Sequence, residues 1–257
     1  MASPTTLSGS DQRTQLLEVA LGLLEASGPE ALRARRLTAE IGASTQAIYT
    51  LFGGMPGLFE ALVVDGFVRL ARYVEAVPET DDPVADFFAR GGAYCDWALT
   101  NPQCYRLMFG LTKGLDVRSG LEMTATGTLA NFPEGQDAVE VMVRSLGRVI
   151  DAGRVRPVDP VVAAGQFLSA THGYVLLEIA GAFGEGHGLQ IIASLASNLM
   201  VGLGDSRGAV ERSLLAATAA SGEAHDARIR LATPGAVLAG VDRHRARRSG
   251  AVPAADP

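Results

Sequence analysis

Four polar side chains at Thr45, Gln46, Tyr49 and Thr50 are the first candidates for chemistry in this chain. They are small or planar hydrogen-bonding groups without fixed charge, and they alternate with apolar positions at Ile48, Leu51 and Phe52 at helical spacing. Such groups on the outer face of an anchored helix reach base edges and phosphates in a major groove. Thr45, Gln46 and Thr50 are the candidates for base contacts, and Tyr49 for a phosphate. Arg35, and the amide-bearing end of the next helix at Gly54 and Met55, are placed to hold backbone phosphates. The chemistry is recognition. No nucleophile–base–orienter set, phosphate-cradling glycine loop or metal cluster stands out, so an enzyme is not expected.

The elements that position these groups are two short helices. Leu37 and Ile41 lie four apart on the first, and Gly42-Ala43-Ser44 joins it to the second. Gly42 can take the left-handed conformation that ends a helix, and Ser44 is a preferred N-cap for the next. A pair so joined is either a helix-turn-helix or an ordinary hairpin inside a larger bundle, and spacing alone leaves both open. A preceding helix over Asp11 to Ala26, with Leu16, Ala20, Leu23 and Leu24 inward, would cover the pair, and Ser27-Gly28-Pro29 stops it. Arg13 in its first turn is either near a DNA backbone or simply solvated.

The run AIYTLFGGMPGLFEAL, Ala47 to Leu62, resembles the end of the DNA-binding domain of the tetracycline-repressor (TetR) family of bacterial regulators. In that family an aromatic pair, here Tyr49 and Phe52, closes the recognition helix, and a Leu-Phe, here Leu58-Phe59, opens the helix that follows. Leu51 stands where the family usually has His, and Met55 where it often has a phosphate-contacting Lys. The segments YCDWALTNPQCYRLMF, Tyr94 to Phe109, and THGYVLLEIAG, Thr171 to Gly181, resemble the C-terminal domain of one TetR subgroup, whose His-Gly pair matches His172-Gly173. The resemblance implies a regulator of transcription, a repressor released from double-stranded DNA by a small effector. It also implies a homodimer that sets two recognition helices on a pseudo-palindromic operator.

The chain has 257 residues and a net charge of −6, which argues against a generally basic nucleic-acid coater but leaves room for a small DNA-reading face. Around the hairpin Arg33, Arg35 and Arg36 oppose Glu30 and Glu40, so the local field is weak. One rival reading is a small-molecule enzyme with a vestigial hairpin, and a second, motivated by this weak charge and by Met55, is a ligand-binding or scaffold protein that no longer binds DNA. Cys95 and Cys104 are the only cysteines, with His172, His187, His225 and His244 scattered, so no metal or other cofactor is expected. Met1 to Ser10 is short, polar and without an apolar core, and no uncharged apolar run reaches membrane-spanning length. A cytoplasmic, reduced compartment is expected, with no membrane partner.

The fold class expected is all-α. Residues 1–10 read as a flexible N-terminus, and 11–77 as the helix-turn-helix domain with a long connecting helix over Pro56 to Val77. Residues 83–221 read as the effector-binding and dimerisation domain. Its helices are expected over Val84 to Leu99, Gln103 to Leu111, Gln136 to Ala152, Val161 to Phe183 and Leu189 to Leu203, with Thr112 to Pro133 a long loop or frayed helix. Apolar on most of their circumference, the last two helices need partners on more than one side, which points to a subunit interface. Residues 222–257 read as a disordered tail, its basic run Asp242 to Arg248 either solvated or adding DNA affinity.

Effector-binding candidates are Tyr94, Trp97, Tyr105, Met108, Phe109, His172 and Glu178. Each has a plainer alternative. The aromatics and Met108 are either cavity wall or core, and His172 either bonds an effector or is a satisfied core histidine. Glu178 is an interface or a pocket carboxylate.

Overall fold

The computed structural model describes residues 9–112, 136–184 and 187–232. Among them the secondary structure is helical throughout: α1 (Gly9–Ser27), a 3-10 turn (Pro29–Ala31), α2 (Ala34–Glu40), α3 (Gln46–Phe52), α4 (Met55–Glu75), α5 (Pro83–Thr100), α6 (Pro102–Met108), α7 (Gln136–Asp151), α8 (Pro160–Ile179), α9 (Gly188–Gly202) and α10 (Arg207–Ala232). The segment 113–135, where a loop or frayed helix was expected, lies outside the described residues, as do 1–8 and 233–257.

Helices α1–α3 form a head around one small core. Leu16, Ala20 and Leu24 of α1 meet Leu37 of α2 and Ile48 of α3, all fully buried, with Leu58 and Leu62 of α4 closing the cluster. A three-helix unit of this size cannot bury enough surface by itself, so α4 completes it. At 21 residues α4 is about 31 Å long at 1.5 Å per residue. Its N-terminal half belongs to the head and its C-terminal half, Phe67 to Val74, to the helical body.

Two polar ties hold the head in place. Arg69 of α4 donates to Asp65 at 2.6 Å and to Glu18 of α1 at 2.5 Å, with its side chain 11% exposed. Glu25, near the end of α1, accepts the amides of Gln103 and Cys104 in the first turn of α6, at 3.2 and 2.6 Å. Burial raises the Glu25 pKa, against those two amide hydrogen bonds, which lower it. A carboxylate at a helix start satisfies amides that have no partner within the helix.

The body is built on α5. Asp82 caps it, accepting the amides of Val84 and Ala85 at 3.1 Å, and the same carboxylate takes Arg154 Nη1 at 3.1 Å and the Ser213 hydroxyl at 2.6 Å. Asp82 thus fixes the entry of α5, the segment after α7, and α10 together. Asn101 and Pro102 break α5 from α6. Helices α4, α5 and α7 pack against one another, α8 lies against α5 and α7, α9 lies against α8, and α10 runs along α5, α4 and α9. Gly66 of α4 permits close approach to α6, since a Cβ there would stand 2.7 Å from Met108 Sδ and 2.9 Å from Cys104 Sγ.

Two expectations are corrected. Helix α1 begins at Gly9, inside the stretch read as a flexible N-terminus, and α10 extends to Ala232, past residue 222 where a disordered tail was expected. The alanine-rich sequence of α10 carries helix propensity without an amphipathic pattern, so apolar periodicity could not reveal it. Among the described residues no single helix is long and apolar enough to cross a membrane. Only the bent pair α3–α4, at 55°, passes on length and composition, and it is the core of the head.

Candidate functional site

The turn between α2 and α3 is set by Gly42, whose φ of 65° is left-handed; the Ala43 amide returns to Thr38 O at 2.8 Å. Ser44 does not cap α3. Thr45 occupies the N-cap position in helical conformation and makes no side-chain capping bond, while the Ala47 and Ile48 amides bond to the carbonyls of Ser44 and Thr45. Helical backbone thus begins at Thr45 with no hydroxyl capping it, and the Ser44 side chain stays at the surface.

With Ile48 fully buried, Thr45, Gln46, Tyr49 and Thr50 all face outward, and Tyr49 is 62% exposed. Thr50 Oγ1 donates to Gln46 O at 3.1 Å, so its hydroxyl proton is engaged and what it presents outward is a methyl group and acceptor lone pairs. Gln46 carries both donor and acceptor on one planar group, the pattern that reads adenine edges. Arg35 is exposed on α2, and Arg13 of α1 lies over the Phe52 ring, its guanidinium carbon 5.1 Å from the centroid. Gly53 and Gly54, at φ 75° and 121°, carry the chain from α3 into α4, where Met55 is half-buried and Gly54 buried. A Cβ on Gly57 would fall 1.8 Å from the Phe52 carbonyl oxygen, so α3 ends against the first turn of α4 with no room for a side chain.

The body holds a cavity of about 630 Å³. Its wall is apolar, drawn from α4 (Phe67, Leu70, Val74), α5, the end of α6, and α7 to α10. Polar groups on it are few: Arg90, Tyr94, Asp96, Ser145, Thr171 and Thr218. A concave, mostly apolar site with a few convergent polar groups is what a small molecule needs.

The sequence-derived candidates divide. Tyr94 and Phe109 line the cavity. Tyr105 is fully buried behind them; its hydroxyl shares hydrogen bonds with Tyr94 Oη at 2.8 Å and His172 Nδ1 at 2.6 Å. The His172 ring also packs on Phe109, with centroids 4.4 Å apart, and burial lowers its pKa, favouring the neutral imidazole. His172 therefore stands one layer behind the wall, as a hydrogen-bonded partner of Tyr105. Trp97 and Met108 are buried and do not line the cavity, and Met108 packs on Gly66 instead. Glu178, in the last turn of α8, lies close against Gly188 at the start of α9, and its Oε2 has no hydrogen-bond partner among the described residues. Cys95 lines the cavity, but burial, with Asp96 beside it, pushes its thiol up to about 12, far from thiolate chemistry.

Residues that sequence reasoning passed over include Phe67, Phe87, Phe167 and Arg90. The aromatics carry no signal separating wall from core. Arg90 did carry one, as the one cation of α5, followed by two glycines.

An exposed hydrogen-bonding face on the second helix of a helix-turn-helix, joined by one long helix to an apolar cavity, defines a ligand-responsive DNA-binding regulator. Residues 16–62 match the family described as bacterial regulatory proteins, tetR family, and residues 87–201 match the tetracyclin repressor-like C-terminal domain. The chain belongs to the TetR family of transcriptional regulators. A protein of unknown function from Rhodococcus sp. RHA1 has a similar structure, with a TM-score of 0.64 at 26% identity over 79% of this chain and 99% of that one. TylP, a TetR regulator from Streptomyces fradiae, aligns with a TM-score of 0.54 at 16% identity, covering 83% and 99%. RolR in complex with resorcinol aligns with a TM-score of 0.56 at 15% identity, covering 80% and 94%. The last two share the fold. No curated protein matches the chain.

Proposed function

We propose that this chain is a cytoplasmic homodimeric repressor that leaves its operator when a small, mostly apolar molecule fills the cavity. The observation that carries this reading is α4. Its first turns abut the recognition helix at Phe52 and Gly57, and its later turns supply Phe67, Leu70 and Val74 to the cavity wall. A molecule seated there touches the helix that carries the head. The ligand must prefer the state with misplaced heads by about 5.5 kcal/mol to carry occupancy from 99:1 to 1:99. A mobility shift on the DNA upstream of the chain's own coding region tests this. A shifted band lost on adding a cavity-filling compound supports the reading; no specific band at low salt overturns it.

Thr45, Gln46 and Thr50 are proposed to read bases, with Tyr49, Arg35, Ser44, Gly54 and Met55 on the phosphate backbone. Gln46→Ala should cost about 1–3 kcal/mol of discrimination between operator and mutated sites, as loss of one bidentate base contact does. Tyr49→Phe should weaken binding to all sequences alike. Competition binding with specific and random duplexes separates the two, and equal losses for Gln46→Ala would remove it from the reading set.

The dimer is proposed to form through α8 and α9. Of the eight exposed large apolar side chains among the described residues, five lie there: Val162, Leu177, Leu189, Ile191 and Leu195. Such a concentration marks an association surface. Leu195→Arg should give a monomer by sedimentation and lower operator affinity by more than tenfold, since each monomer then holds one half-site. A wild-type monomer at micromolar concentration that still binds tightly would rule the interface out.

A further inference from the structure

Three hydroxyl side chains besides Tyr94 stand on the cavity wall: Ser145, Thr171 and Thr218. Ser145 Oγ donates to Val141 O at 2.7 Å and Thr218 Oγ1 to Leu214 O at 2.8 Å, each turning back to the carbonyl four residues before it. Thr171 makes no such bond and has no other partner among the described residues. Its oxygen is also not sealed from solvent. Among the described residues the buried side-chain polar atoms left without a partner are Arg90 Nε and Glu178 Oε2, and Thr171 Oγ1 is not one of them. Thr171 shares the inner face of α8 with Phe167 and Leu168, the face that lines the cavity. Its hydroxyl therefore opens on the cavity with a donor and an acceptor both unused.

The second observation is the hydrogen-bonded chain beside it. His172 follows Thr171, and its Nδ1 stands 2.6 Å from Tyr105 Oη, which stands 2.8 Å from Tyr94 Oη. Tyr105 is the fully buried member of the chain and Tyr94 the half-buried one. Phe109 packs on both Tyr105 and His172, with centroids 4.7 and 4.4 Å away. Tyr94, Phe109 and Thr171, all on the wall, thus frame one corner around the Tyr105–His172 pair. The lengths fix the direction of the chain. An N–H donor holds its acceptor at about 2.9–3.0 Å, whereas an O–H donor comes to about 2.7 Å. At 2.6 Å, Tyr105 O–H donates to an unprotonated His172 Nδ1. Tyr105 has one proton, so Tyr94 O–H donates in turn to Tyr105 Oη. Tyr94 is left with lone pairs alone, and what meets it must bring a donor. The charged residues on the wall already have partners: Asp96 accepts from the Tyr73 hydroxyl, and Arg90 pairs with Glu79 at 3.1 Å.

We propose that the cavity takes a neutral, largely apolar molecule bearing a hydroxyl group, which accepts from Thr171 Oγ1–H and donates to Tyr94 Oη. One atom with a proton and lone pairs meets both demands. A ketone meets only the first and leaves Tyr94 unpaired, and an ammonium would be desolvated beside charges that are already matched. This rests on reading the cavity as the effector site. Three matched probes test it by isothermal titration calorimetry on the full chain: 6-phenylhexan-2-ol, 6-phenylhexan-2-one and 6-phenylhexan-2-amine. The alcohol should bind about fivefold tighter than the ketone and about tenfold tighter than the amine. Tyr94→Phe should bring the alcohol down to the ketone affinity and leave the ketone where it is. Thr171→Val, which keeps the shape and loses the hydroxyl, should weaken both about fivefold. Nitrogen-15 NMR of the His172 ring, without ligand, should show Nε2 protonated and Nδ1 bare. A proton on Nδ1 would reverse the chain and overturn the assignment. Equal binding of alcohol and ketone, or tightest binding of the amine, overturns it too while leaving the cavity a ligand site. Wild-type alcohol affinity in Thr171→Val overturns this corner as the place of the hydroxyl. Should Tyr94→Phe fail to fold, Thr171→Val and the wild-type ranking of the probes decide. Failure of all three probes to bind a chain that still holds its operator overturns this proposal and the effector-site reading together.

Discussion

Gly57→Ala should reduce operator affinity by about 10–100-fold, the equivalent of losing one good bidentate base contact, while ligand binding in the body stays close to wild type. The added methyl would stand 1.8 Å from the Phe52 carbonyl oxygen, about half an ordinary van der Waals separation. Backbone stands on both sides of this contact, so no side-chain rotation can relieve it. Either α3 moves away from α4 or the first turn of α4 unwinds, and both displace Gln46 and Tyr49 from the position the head gives them. Mobility shifts on operator DNA, with calorimetry of a cavity ligand as the control, measure the two halves separately. Unchanged operator affinity in a folded Gly57→Ala protein would show that the orientation of α3 does not depend on this contact.

The second large effect is on stability. Arg69→Ala should destabilise the chain by about 3–5 kcal/mol, because it removes the cation between two carboxylates and leaves them facing each other in a mostly buried place. Asp65 and Arg69 have side chains 10% and 11% exposed, whereas Glu18 at 26% has some solvent to turn to. The guanidinium pKa is raised: burial opposes the charge, and Asp65, then Glu18, outweigh it. Replacing all three groups by apolar residues of similar volume should cost far less than the single change, since no charge is then stranded. Urea unfolding of the single and triple variants provides the comparison, and equal losses would mean that the triad acts through its attraction rather than through the penalty of breaking it.

Much of this architecture could be read in the residues. Leu37, Ile48, Leu58 and Leu62 recur at helical spacing and are fully buried, and Gly42 between two short apolar periods is the turn it was expected to be. The polar face of α3 was legible for the same reason, because anchored apolar positions leave only one side for Gln46 and Tyr49. The cavity was less legible. A phenylalanine on a cavity wall and one in a filled core have the same type and the same spacing, and only the packing of the other helices decides between them. Trp97 shows the limit: three residues after Tyr94, it lies about 60° to one side of it round α5, enough to turn it from the wall into the core. His172 was legible as a candidate, but its partner Tyr105 was not, since that contact spans 67 residues of sequence and no local pattern encodes it. Ser44 was misplaced as a cap by one residue, within the usual ambiguity of a helix start.

The distribution of the cavity wall has a consequence for how such a chain can change over generations. Helices α1–α3 make their stronger contacts with one another, with α4 and with α6, while the wall is taken mostly from α5 and α7–α10. Substitutions on those outer helices can reshape what the cavity accepts without disturbing the surface that meets DNA. Only Phe67, Leu70 and Val74, on the helix both halves share, answer to two demands at once. Chemical preference and genomic address are thus held on nearly separate sets of residues, and a lineage can revise one while inheriting the other.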